Sequence, residues 1–436
     1  ALLDRIGSAL DLSAGATDLP ARQRTLRDTL AWSQQLLTES QTTLLARRSI
    51  FLAPWTLSDA EAVADRASAV VFDDLAGLVE NNLVAPAPGA PGEPRFRMYE
   101  TVRAFAAELL DDVSREDTER TYVELMSNQA AFLSQRISTK DRQRWQPEFR
   151  LVWPDVRQGW QFALARRDAE ATAAAAMSLL ALWIDGSVLR GLDLLEPSVR
   201  LVDELRPPGH PDMMMVCGQA AYTVGDYKTA ASLIARLGAD LDYPSDPGLA
   251  ASATLMQAYV ASQDGDFVLT EVMMRRALEQ FATVEDPDKR WFEGFTHTGM
   301  GWVLLFAGDV DGAIAEFGAA AESGRATGNV GAQTLGLVFE ADMHLSAGRR
   351  DRARELLVSA CDLVETQLFF EGNAYCFEAV GAWAAEVAPV YAARLLGLAD
   401  GLRTILGAQV WMQVQPTTAG IEADVQSRCS PGEYGA

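Results

Sequence analysis

Apolar positions along the chain follow two rhythms. Up to about residue 110 they mark short helices and one hairpin. Beyond it they mark one helix after another, with a regular beat. Leu2, Leu3, Ile6 and Leu10 form one side of a helix over residues 1–18. Leu26, Leu30, Ser33 and Leu37 align on a second, Leu19–Leu37, whose Pro20 sits near its start, where a missing N–H is harmless. Thr38 and Gln41 form a capping pair for the next helix, to about Ser49, and Ser58 and Glu61 form another. Between them Ile50–Leu52 reads as a brief strand. A helix over Ala69–Asn81 carries Val70, Phe72, Leu75, Leu78 and Val79 as its apolar positions. Leu83–Ala85 and Arg95–Met98 then flank a Pro/Gly-rich tip, Pro86–Pro94, as a hairpin. The second strand feeds a helix over Thr101–Leu110. Its Val102, Phe105, Ala106 and Leu109 share one stripe, which turns Arg103 and Glu108 to water. Helices, a hairpin and a further helix in this order predict a winged-helix unit.

After Asp111 no strand is predicted. Glu119–Arg136 and Val152–Ala165 are aromatic-rich amphipathic helices, carrying Tyr122, Phe132, Trp153, Trp160 and Phe162. From about Pro211 a token recurs: Gly225-Asp226, Gly265-Asp266, Gly308-Asp309 and Gly348-Arg349, at spacings of 40, 43 and 40 residues. A further 40 reaches Ala388-Pro389. Five residues into each stands Ala230, Thr270, Ala313, Ala353 or Ala393. Glycine makes the turn between two helices, and the small residue lets the pair approach closely. A period of this length built on helix pairs predicts an α-solenoid of tetratricopeptide-like units. The fold class expected is mainly α. A helical tail over 1–18 precedes a winged-helix domain over 19–112, a helical connector with atypical first repeats over 113–212, and a repeat superhelix over 213–436.

Charge and chemistry narrow the function. The net charge is −23 over 436 residues with only three lysines, Lys140, Lys228 and Lys289, which argues against bulk affinity for nucleic acid or anionic membrane. The helix nearest the wing, within Ala67–Asn82, carries Asp73, Asp74 and Glu80 and no Lys or Arg, so we expect no direct nucleic-acid binding from it. Cys217, Cys361, Cys376 and Cys429 are far apart with no CxxC pair, as in a reducing cytoplasm. No apolar run is long enough to span a membrane, and no signal peptide opens the chain. It begins without Met and ends at Gly435-Ala436 inside helical patterns, as a portion of a longer protein would. None of the lysines follows a glycine, so there is no phosphate-cradling P-loop, and HExxH and GxSxG motifs are absent as well. His210, His297 and His344 are not at ligand spacing. His297 lies among Trp291, Phe292, Phe295 and Trp302, a run that suits either a groove or a core. The carboxylates at Asp240-Leu241-Asp242 and Asp264–Asp266 fall at turns, where caps and solvent account for them without metal. No catalytic residue is assigned and no enzymatic activity is expected of the chain.

Several segments resemble the winged-helix region of actinobacterial STAND signalling ATPases, the NB-ARC-like regulators often fused to adenylate-cyclase or LuxR-type DNA-binding domains. These are LPARQRTLRDTLAWSQQLL, a helix ending LLARRSIF, WTLSDAEAV, LAGLVENNLVAP and RFRMYETVRAFAAELL, which together span 19–110. The repeats then stand where such proteins carry their sensor array. The resemblance implies a P-loop nucleotide-binding domain ahead of this chain, ATP or ADP as cofactor there, and oligomerisation on activation. It also implies a protein or small-molecule ligand on the repeat groove. In the family the winged helix lends a Met-His-Asp motif to sense nucleotide; Met98, Tyr99 and Glu100 match its register, with Tyr for His and Glu for Asp. Those residues either sense nucleotide or pack as wing residues against the following helix. The expected role is the non-catalytic sensor region of a transcriptional regulator in the cytoplasm. A freestanding repeat adaptor for protein partners is the alternative.

Overall fold

The structure, a computed structural model, describes residues 25–64, 68–89, 94–137, 142–239, 247–366, 370–411 and 413–430. The helix expected over 1–18, the first turn of the one from Leu19, Lys140, Asp240-Leu241-Asp242 and Gly435-Ala436 lie outside the described residues. Two compact units divide the chain: residues 1–130 with 148–175, and residues 131–147 with 176–436.

The first unit holds the winged helix. Helix α1 (Leu26–Gln34) is capped by Thr25, and α2 (Glu39–Arg48) has the capping box expected of Thr38 and Gln41. The chain then turns through Ile50–Leu52 rather than forming a strand; β1 is Trp55–Thr56, three residues later. Helix α3 (Leu57–Ala64) starts from a different cap than Ser58 and Glu61 predict. The Asp59 amide donates to Thr56 Oγ1 at 3.1 Å and the Thr56 amide to Asp59 Oδ2 at 2.8 Å, a reciprocal pair two residues upstream. Asp also meets the geometry, and it is buried here, whereas Glu61 is half-exposed. Helix α4 (Ser68–Glu80) buries Val71, Leu75 and Leu78, while Val70 and Phe72 among its apolar positions are exposed. Asp74 is buried as well and accepts a hydrogen bond from Ser40 of α2.

Strands β2 (Ala85–Ala87) and β3 (Arg95–Arg97) form the wing. β3 also pairs antiparallel with β1, Trp55 opposite Phe96, which gives the order β1-β3-β2. Helix α5 (Glu100–Ala107) buries Val102, Phe105 and Ala106 as its stripe predicts. Arg103 does not face water: its guanidinium spans Glu100 and the Ser49 carbonyl. The unit is completed by most of two long helices, α6 (Asp112–Ile137) and α7 (Arg142–Ala165). One carboxylate ties it together. Asp155 on α7 accepts from the amides of Leu52 at 2.7 Å and Ala53 at 2.9 Å and from the Tyr122 hydroxyl at 2.6 Å. Burial nonetheless pushes its pKa up to about 6.

The second unit is helix upon helix. The tail of α8 (Ala169–Ala176), α9 (Ser178–Ile184) and α10 (Leu195–Leu205) precede the regular array. That array runs α11 (His210–Thr223), α12 (Tyr227–Ala239), α13 (Pro247–Gln263), α14 (Phe267–Phe281), α15 (Glu293–Phe306) and α16 (Val310–Thr327). It continues through α17 (Val330–Ser346), α18 (Arg350–Thr366), α19 (Phe370–Ala384) and α20 (Pro389–Leu406) to α21 (Gln415–Arg428). The beat falls at the turns inside the helix pairs. Gly225, Gly265, Gly308 and Gly348 all take the left-handed conformation that a side chain disfavours. Asp226, Asp266 and Asp309 each cap the next helix through the amide three residues on. Ala230, Thr270, Ala313 and Ala353 are buried between the partners.

The fifth turn departs from the expected spacing. Ala388 holds the N-cap position and Ala392, not Ala393, is the fully buried residue, so this beat comes one residue early. Pro389 starts the helix without an N–H to satisfy, and there is no glycine here to fix the count. An earlier turn of the same form, in the first unit, escapes the glycine pattern. Arg167 is left-handed in place of glycine, Asp168 caps α8 through the Ala171 amide, and Thr172 is fully buried.

Candidate functional site

The second unit encloses a pocket in two adjoining compartments, about 520 Å3 and 610 Å3 with their solvent-open space included, which share Tyr259 and Gln413 as walls. Each wall follows from the repeat. Successive helices present aromatic rings at nearly constant spacing. Tyr222 of α11 stacks on Tyr259 of α13, centroids 5.4 Å apart and planes 21° apart. Trp302 of α15 meets Phe339 of α17 edge-on at 5.0 Å, Phe339 meets Tyr375 of α19 at 5.7 Å, and Tyr375 meets Trp411 at 5.6 Å. Trp183 of α9 stacks on Phe292 at 6.1 Å with planes 8° apart. A Gln263 carboxamide donates to the Tyr222 hydroxyl, and the Tyr259 hydroxyl donates to the Phe295 carbonyl, so the rings are held by polar bonds as well as by packing.

The polar groups on the walls are neutral. Gln219, Gln409, Gln413, Thr223, Ser262 and Thr270 supply carboxamides and hydroxyls, and among the described residues no Asp, Glu, Lys or Arg lines either compartment. The run about His297 resolves into both of its readings. Trp291 is core, while Phe292, Phe295 and Trp302 line the pocket. His297 itself turns to Glu316, Nδ1 to Oε2 at 2.7 Å. His210 Nε2 lies 3.3 Å from Asp203, with burial lowering its pKa, and His344 accepts from Arg349. The three histidines do not converge, and no metal-holding cluster occurs among the described residues. The glutamines and the ring spacing were missed in the sequence reading. The numbers 302, 339, 375 and 411, each 36 or 37 residues after the last, carried the second signal.

The nucleotide-sensor residues lie in the first unit. Tyr99 holds the N-cap position of α5 without a capping bond from its side chain, is 53% exposed, and lies under the Arg97 guanidinium at 5.1 Å. Met98 is half-buried, and Glu100 pairs with Arg103 through Nε at 3.0 Å. The outward face of α4, the helix before the wing, presents Val70, Phe72, Asp73, Ala76 and Glu80. It is apolar and acidic, with no cation to meet a phosphate.

Comparison with known proteins supports the first unit most directly. A family profile for a winged helix-turn-helix domain matches residues 37–111. A candidate HTH-type transcriptional regulator of Mycobacterium tuberculosis and its Mycobacterium bovis counterpart are each 32% identical over 184 residues, 41% of this chain. The match covers 20% of those relatives, so the chain accounts for about a fifth of their length. Among solved structures, a STAND protein with a tetratricopeptide repeat sensor from Pyrococcus horikoshii is similar at 14% identity and TM-score 0.48, over 95% of this chain and 66% of that one. BtubC from P. vanneervenii is similar at 15% identity and TM-score 0.38, over 51% and 93%. Both TM-scores fall below 0.5, and no conclusion about this chain follows from either. Among the described residues no helix is long and apolar enough to cross a membrane.

Proposed function

We propose that this chain is the non-catalytic sensor region of a STAND-type signal-transduction ATPase and transcriptional regulator. In this reading the winged helix-turn-helix unit is a packing module for a nucleotide-binding domain ahead of it, which holds ATP or ADP. The repeat unit takes a ligand that favours one state of the regulator over another. A ligand can do so only by binding those states with different affinity. The observation that carries the reading is the aromatic pocket, which suits ligand capture and has no Asp, Glu, Lys, Arg or His among its described lining residues. In this reading Tyr99, which is exposed beside Arg97, offers its hydroxyl to a neighbouring domain's nucleotide.

The winged helix and the relatives' names raise direct DNA binding, and α4 argues against it. A helix showing Asp73 and Glu80 outward would meet the phosphate backbone with like charge. The test is a titration of the 436-residue chain with duplex DNA from low to physiological salt. No binding is expected even at low salt; measurable binding that weakens with added salt would overturn the packing-module role. A freestanding protein-binding adaptor is the second reading, favoured by the same repeats, and a P-loop domain encoded upstream decides against it.

A further inference from the structure

We infer that the pocket of the second unit takes a neutral organic molecule with a flat ring system, and that it discriminates against anions. The inference rests on the reading of this pocket as the sensor site and names the chemistry of what enters.

Ten of the described lining residues carry rings and none of them carries a charge, in a chain whose residues are 22% charged and whose net charge is −23. Moving an ion from water into such a place costs its hydration with no opposite charge to compensate, whereas a neutral ring keeps its dispersion contacts and sheds ordered water. An anion is opposed twice, by desolvation at the walls and by the field of the acidic chain around them. The rings favour a flat occupant, because stacked and edge-on neighbours such as Tyr222 with Tyr259 leave aromatic faces as the walls.

The experiment uses the full chain and two dyes of one skeleton, neutral N-phenylnaphthylamine and anionic anilinonaphthalenesulfonate, followed by their fluorescence on binding. The neutral dye is expected to bind at least about tenfold more tightly than the sulfonate. Phe267 and Phe306, both about half-exposed and 5.7 Å apart at the pocket wall, can be replaced by alanine without opening the core. The double variant Phe267→Ala/Phe306→Ala should keep its helical circular dichroism and lose about tenfold in affinity for the neutral dye. Equal affinity for the two dyes, displaced together by the Phe pair, would overturn the charge rule and leave the pocket a binding site. Dye binding unchanged in the Phe double variant would overturn the pocket itself, and with it the sensor reading.

Discussion

The two units solve the same problem, holding many short helices together, by opposite means. The first uses a few polar groups that reach far along the chain. Asp155 holds Leu52 and Ala53, more than a hundred residues away; Gln158 donates to the Ile50 carbonyl; Gln129 donates to Asp59; and Arg48, fully buried, donates to the Asp59 carbonyl. The second has polar bonds as well, Arg403 to Glu378 and Asn329 to the Trp291 carbonyl among them, but these link residues 25 and 38 apart. Its neighbours in space are neighbours in sequence, and small residues let helices touch along their backbones. Gly324 and Gly336 mark the crossing of α16 with α17, where an added methyl would come within 2.4 Å of the Gln333 amide nitrogen and 2.5 Å of the Ala321 amide nitrogen. A unit held by a few long-range polar bonds should fail when one group is lost or titrated. A unit held by local close packing should fail when volume is added.

The sharpest way to break that contrast is at Asp155. Removing its carboxylate leaves two buried amides and the Tyr122 hydroxyl without their acceptor, so Asp155→Ala should destabilise the first unit by about 2–4 kcal/mol at neutral pH. The loss should also depend on pH, with a definite sign. Burial raises the folded pKa from 3.8 to about 6, so the folded state holds the proton more tightly than the unfolded one. The stability that this group contributes is therefore complete below pH 3.8 and is lost as pH rises through 6, by about 3 kcal/mol in all and about half of that between pH 5 and 7. Urea denaturation of both forms at pH 5, 6 and 7 should show the variant's deficit growing in acid. A deficit that stays constant would mean that Asp155 does not change its charge across this range.

How much of this was legible in the sequence follows the same division. The repeat turns could be read because glycine and aspartate stand at fixed offsets for a local backbone reason. The reading slipped at the fifth turn because it counted forty residues where the turn itself, with Ala388 and Pro389, comes one sooner. Caps were readable in kind but not always in place: Thr56 with Asp59 took the role expected of Ser58 with Glu61. The burial of Asp74 on α4 was not legible, because its partner Ser40 stands 34 residues away, where no periodicity points. Asp155 was invisible for the same reason. The pocket stood between these cases. The run from Trp291 to Trp302 was noticed, but its walls come from helices across the array, and only the recurring aromatic spacing could have joined them.

The converse test adds volume to the second unit. Gly336→Ala places a methyl against the Ala321 amide nitrogen and the Phe317 carbonyl oxygen, 2.5 and 2.6 Å away, both backbone atoms of the facing helix. Neither can swing aside as a side chain could, so α16 and α17 must separate, at about 1–3 kcal/mol. Gly401, in α20, is the control: a methyl there meets nothing within 4 Å. Gly401→Ala should be neutral or stabilise by up to about 1 kcal/mol through helix propensity. Thermal unfolding of the two variants separates the explanations. Similar losses in both would show that glycine is needed for something other than the close crossing.

The smallest effect sharpens the contrast within the repeats, where the turns share a backbone but differ in their caps. Asp309 accepts from the Gly312 amide at 2.9 Å, so Asp309→Ala should remove about 1 kcal/mol and lower the melting temperature slightly. Gly348-Arg349 is the same turn by conformation, with Gly348 left-handed and the Ala353 amide donating to the Arg349 carbonyl, but arginine cannot accept the amide bonds a cap supplies. Arg349→Asp should add stability of the same order, less what is lost with the bond to His344, and place a carboxylate at the positive end of α18. If aspartate stabilises at 349 as alanine destabilises at 309, the turns are interchangeable parts. If Arg349→Asp destabilises, the arginine is held there by its contact with His344, and this turn has a role that the repeat alone does not require.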